Sequence, residues 1–171
     1  MINQKHLTSL ICTTADFGSL GAGLLHAGSQ VRFRAQGSSM HPLVRDGDTL
    51  LISPLLPGGV RLGDIVLCTT DSGQALVHRV IGRRRGDTVT NYLVQGDQGP
   101  RPDGWITQQQ IHGCLVEIER DGHRLQMTRP AIRFLGQLMV LAQRLGLRRS
   151  FLAVVASNLL KRSPGFSGYL K

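Results

Sequence analysis

The chain has 171 residues, 41% of them apolar, enough for the core of one ordinary domain without disulfide help. Cys12, Cys68 and Cys114 are scattered and form no CxxC pair, which argues against a disulfide framework and a thiolate zinc site and for free thiols in a reducing compartment. The net charge of +9 is uneven: residues 1–128 hold 12 Lys and Arg against 11 Asp and Glu, whereas 129–171 hold eight basic residues and no acidic one.

In chain order, the N-terminal arm (1–29) shows no secretory leader, because its apolar stretches are broken by Thr, Ser, Asp and Gly. Residues 15–28 read as a weak helix carrying three internal glycines. From residue 30 the texture becomes β. Residues 30–36 alternate apolar and polar, and 48–55, 64–70, 74–82, 88–95, 112–119 and 123–127 are short β-rich runs. Turn signals separate them at 57–59, 71–73, 85–87 and 121–122. Gly-Asp pairs at 47–48, 63–64 and 86–87 precede strands; the fourth, 96–97, leads into a polar loop rich in Pro and Gly. Arg83, Arg84 and Arg85 read as a solvated hairpin tip. Strands this short and close predict a mainly β body, an antiparallel barrel or sandwich, over 30–128.

After Pro130 the period changes to helical. Residues 131–146 place Ile132, Leu135, Leu138, Met139, Ala142 and Leu145 on one stripe, and 150–162 read as a second helix after a Ser150 cap. The segment 129–171 is therefore a basic helical tail. Packing against the body and contact with an anionic membrane surface both stay open for it, with nucleic acid a smaller share because its aromatics form no stacking platform. No window reaches the ~20 apolar residues of a spanning helix. A cytoplasmic protein, or one peripheral at the inner membrane surface, is the expectation.

The candidate chemistry lies in "GSSMHPLVRDGD" (37–48) and "ALVHRVI" (75–81). A serine becomes nucleophilic only when a base takes its proton and a third group orients that base. Ser39 stands before Met40 and near Pro42, an unusual setting for a plain solvent loop, yet its neighbours are ordinary turn residues. His78 lies within an apolar strand, where a histidine satisfied by one hydrogen bond is the bland alternative. No histidine pair has zinc-ligand spacing with a third ligand nearby, so no metal and no cofactor are expected.

The order Ser-Met-x-Pro, Gly-Asp, a strand with a central base and a later Gly-Asp loop resembles the signal peptidase I and self-cleaving repressor (LexA-like) superfamily. It is most similar to the endoplasmic-reticulum and archaeal type that uses histidine. The matching segments are 37–52, 61–67, 76–82, 92–104 and 111–118, about a third of the chain. The resemblance implies the β peptidase fold of that superfamily. It assigns Ser39 as nucleophile and His78 as general base; for the acid that orients His78 it favours Asp103 by spacing, with Asp97 of the Gly-Asp pair as the alternative or as a structural acid. Ser38 and Met40 fall at positions that build the oxyanion and substrate side. The chain departs from the pattern at Gly37, where the family carries a hydroxyl that assists the oxyanion hole, and in lacking a recognisable membrane anchor.

Three functions follow from the residues and the resemblance. A Ser-His(-Asp) endopeptidase would clip a leader or precursor peptide. A catalytically inactive module on the same fold would bind peptide without turnover. A self-cleaving regulator would shorten itself and touch DNA, but its branch uses a lysine base and an N-terminal DNA-reading helix pair, neither of which is found here.

Overall fold

The computed structural model describes residues 8–9, 14–55 and 58–144. The expected helix at 150–162, the end of the one at 131–146, and Cys12 with its thiol lie outside the described residues. Nine strands form one sheet: β1 (Thr8–Ser9), β2 (Val31–Arg34), β3 (Thr49–Pro54), β4 (Ile65–Thr69), β5 (Ala75–Arg85), β6 (Thr90–Gln95), β7 (Gly104–Thr107), β8 (Ile111–Arg120) and β9 (His123–Gln126). The main path runs β1-β2-β3-β8-β4-β5-β6-β7; among the described residues only β1 and β2 pair parallel. Helices α1 (Thr14–His26) and α2 (Pro130–Arg144) flank it. The architecture is mainly β, a sheet curled into a half-barrel.

Strand β8 organises the curl. One of its edges pairs with β3 from Gly113 to Glu119. Its other edge is shared: β4 pairs along Ile111 to Cys114, and β9 along Glu117 to Arg120. Register shifts in the β3–β8 and β4–β8 ladders show bulges there, the device that lets a sheet bend sharply. Strand β4 reads as an unbroken apolar run because both its faces are covered. Ile65 and Leu67 enter one core cluster, while Val66 and Cys68 enter the other. The first cluster joins Leu25 of α1 and Ile132, Leu135 and Met139 of α2 to the sheet, so both helices pack on the β body.

Two boundaries differ from the sequence reading. Residues 104–107 form a strand against β6 where a loop was expected, because four residues are too few for periodicity to register. Arg83, Arg84 and Arg85 are ladder residues facing Tyr92, Asn91 and Thr90, and the turn lies beyond them. Three exposed arginines in a row carry no alternation by which to recognise a strand.

Candidate active site

Residues 35–48 leave β2 and return at β3. The neck of this loop is closed by Ala35 N–H to the Asp48 carbonyl at 2.7 Å and Gly47 N–H to the Ala35 carbonyl at 3.0 Å. Inside it, Gly37 N–H donates to the Asp46 carboxylate at 2.7 Å. Arg120 of β8 clamps the loop's end by donating to both carboxylate oxygens of Asp48, at 2.7 and 2.6 Å. Met40, Leu43 and Val44 are buried in the first core cluster. Anchored by these apolar side chains, the loop holds Ser38 and Ser39 outward, both exposed.

His78 sits mid-β5, opposite Val66 of β4, and is buried. Its Nε2 lies 2.9 Å from Ser39 Oγ, and its Nδ1 lies 2.7 Å from Asp103 Oδ2. An ionised carboxylate can only accept, so Nδ1 carries the proton; a neutral imidazole then leaves Nε2 to accept from the Ser39 hydroxyl. Asp103 is placed by its own N–H, which donates to the Val94 carbonyl at 2.9 Å just ahead of β7. The structure thus brings together Ser39, His78 and Asp103, residues drawn from three separate parts of the chain.

Asp97 is elsewhere. Its carboxylate accepts from Arg79 Nε at 2.8 Å and Nη2 at 2.7 Å, a bidentate pair buried on both sides. Arg79 Nη1 also donates to the Gly63 carbonyl at 2.8 Å. His78 and Arg79 are neighbours on β5, and Gly96 and Asp97 are neighbours in the loop after β6. The ion pair therefore ties the strand that carries the imidazole to the loop that backs it.

Gly96 provides that backing. A Cβ at Gly96 would stand 3.0 Å from the Ser39 carbonyl oxygen, 3.1 Å from His78 Nε2 and 3.2 Å from Ser39 Cβ. A side chain there would crowd Ser39 and His78, which would have to give way by a few tenths of an ångström. The Gln98 N–H donates to the Ser39 carbonyl at 2.8 Å, and Gln98 Nε2 donates to the His41 carbonyl at 3.2 Å. Arg79, Gly96 and Gln98 were not singled out from the sequence. Arg79 did carry a signal: a charge beside His78 within the apolar run "LVHRVIG" needs a buried counter-ion, and the loop after β6 offers one.

The Ser38 carbonyl accepts from His41 N–H at 3.0 Å, while its hydroxyl makes no hydrogen bond among the described residues. The Ser39 N–H likewise has no acceptor among them, so it remains a donor for a ligand oxygen. Burial, reinforced by the Asp103 carboxylate, pushes the Cys68 thiol up to about 12, and burial with Asp64 does the same for Cys114. Both are neutral thiols at physiological pH and poor nucleophiles. A cleft of about 630 Å³ lined by Leu25, His26, Pro54, Thr88, Gln108 and His112 includes none of Ser39, His78 and Asp103. Within it His112 lies 2.6 Å from Thr69 Oγ1, and burial together with nearby His26 lowers its pKa. No group of three metal-ligating side chains occurs among the described residues.

A hydroxyl bonded to an imidazole whose far nitrogen bonds a carboxylate is an arrangement suited to nucleophilic acyl transfer. No protein-family model matches the chain, and no curated protein is detectably similar to it.

Proposed function

We propose that this protein is a serine endopeptidase of the signal-peptidase-like type that cleaves a leader or precursor peptide inside the cell. The observation that carries the reading is the continuous hydrogen-bonded line from Ser39 through His78 to Asp103. The half-barrel sheet and the order of the motifs support it, and the resemblance supplies the substrate class: an extended peptide with small residues before the cleaved bond.

Ser39 Oγ attacks the peptide carbonyl carbon while His78 Nε2 takes the hydroxyl proton. The imidazolium is stabilised by Asp103, which also holds the tautomer. The oxyanion is met by the Ser39 N–H, and Ser38 is the hydroxyl available to assist, since Gly37 has no side chain and spends its N–H on Asp46. The C–N bond then breaks as His78 returns the proton to the leaving amine. Water, deprotonated by His78, attacks the acyl-enzyme; the ester bond breaks and the proton returns to Ser39. Asp97 and Arg79 touch no reacting atom in this scheme and act as positioning residues.

The glycine at 37 favours a second reading, a module on the same fold that binds peptide without cleaving it. One experiment separates the two. The purified full-length chain is incubated with a degenerate peptide mixture and the products are read by mass spectrometry, beside Ser39→Ala and His78→Ala. Cleavage that falls by roughly 10³-fold or more in both variants is expected. Cleavage that persists in Ser39→Ala overturns the assignment, and retention of peptides with no product in the wild type establishes the inactive module.

A further inference from the structure

The buried side of α2 is accounted for: Ile132, Leu135, Met139 and Val140 are all buried on the body. Its opposite side is not. Phe134 and Leu141 are 60% and 53% exposed, and a separation of seven residues, two helical turns, stacks them on one outward ridge. Exposed Gln137 lies between them, and exposed Arg133 flanks the ridge. Large exposed apolar side chains aligned on one face mark a contact surface.

Charge decides what that surface meets. The last acidic residue of the chain is Asp121, and residues 129–171 carry eight Lys and Arg. The Asp64 carboxyl of the body already lies near Arg133, and a cover drawn from residues 145–171 would bring further cations beside Arg129 and Arg133 and no carboxylate of its own. A second copy of α2 would do the same. Nucleic acid would answer the charge but leave Phe134 and Leu141 without an apolar environment. An anionic bilayer answers both requirements: its headgroups attract the cations, and its acyl boundary accepts a phenylalanine and a leucine.

We propose that the outward face of α2 docks the protein on an anionic lipid bilayer, with Phe134 and Leu141 inserted at the acyl boundary and Arg129 and Arg133 against the headgroups. No helix among the described residues is long and apolar enough to cross a membrane. The inference does not rest on the peptidase reading, and its readouts do not use cleavage.

The test is co-sedimentation of the full-length protein with vesicles of phosphatidylcholine alone or with about a third phosphatidylglycerol, where anionic lipid supplies the attraction. Binding to the anionic vesicles, weakened by salt and absent on neutral ones, is expected. Phe134→Ser with Leu141→Ser is expected to lower partitioning about tenfold or more, the loss of two buried apolar anchors. Both sites are exposed, and an unchanged melting midpoint confirms the fold. In a second measurement, Phe134→Trp in a Trp105→Phe background places a single tryptophan on the ridge, whose emission shifts to the blue on anionic vesicles. Equal binding to neutral vesicles, unaltered binding by the double variant, an unshifted tryptophan, or retention by duplex DNA in preference to vesicles would each overturn the proposal.

Discussion

Asp97 and Asp103 stand in one loop, six residues apart, in opposite surroundings. Both members of the Asp97–Arg79 pair have side chains 1% exposed, whereas the Asp103 side chain is 27% exposed and reaches His78 from the rim. Removing one member of a buried pair strands the other charge, so Asp97→Ala is expected to lower unfolding stability by roughly 3–5 kcal/mol. Asp103→Ala removes a carboxylate at the rim and leaves one neutral imidazole nitrogen without its partner, with no charge stranded. Its cost in urea unfolding is expected to be well under that, while peptide cleavage falls by roughly 10⁴-fold if the acid works by fixing the tautomer. Equal destabilisation by the two variants would show that Asp103 is a structural acid as well.

At the scale of elements, α2 meets the sheet through two glycines. A Cβ on Gly63 would fall 2.9 Å from the Gly136 carbonyl carbon and 3.0 Å from Gln137 N, and one on Gly136 would fall 2.9 Å from the Gly63 carbonyl oxygen and 3.2 Å from Arg79 Nη1. These neighbours are largely backbone and cannot rotate away. Helix α2 therefore rests against the same guanidinium that links β5 to the loop behind Ser39. Gly63 has φ +90°, and Gly122 has φ +77° with open space around it. Gly122→Ala is expected to cost about 1–2 kcal/mol for the left-handed backbone alone. Gly63→Ala adds overpacking of about 1–3 kcal/mol and displaces α2. Comparison of their melting midpoints checks the difference; equal shifts would mean that the helix yields freely.

For the whole molecule, Asp64 gives the pH dependence a signed component outside the candidate site. Burial raises the pKa of Asp64, outweighing the Arg61 N–H bond and the nearby charges of Arg133, Arg61 and Arg79. A carboxyl whose folded pKa lies above its unfolded value contributes fully below the unfolded value and loses that contribution as pH rises through the folded one. At neutral pH the ionised group therefore works against the fold. Asp64→Asn keeps an acceptor for the Arg61 N–H and removes the charge. It is expected to raise the melting midpoint at pH 7, with an advantage that shrinks as pH falls and is gone below the ordinary aspartate range. A constant shift at all pH values would place the effect in packing instead.

The β texture, most of the strand segments and the change to a helix after Pro130 were legible in the chain, because alternation, turn residues and the 3.6-residue stripe are local properties that burial then reads out. Ser39 and His78 were ambiguous within their own segments, and it was the order of the motifs around them that marked them. What pairing partners a strand takes was not legible. That β8 shares one edge between β4 and β9, that β7 exists at all, and that Arg83 to Arg85 lie in a ladder follow from hydrogen bonds between residues far apart in sequence. The choice between Asp97 and Asp103 is of the same kind. Both are acids in one loop, and only the fold decides that Arg79 claims the first while His78 claims the second. The close approach at Gly96 was equally invisible, since the absence of a side chain acquires meaning only when Ser39 and His78 arrive beside it.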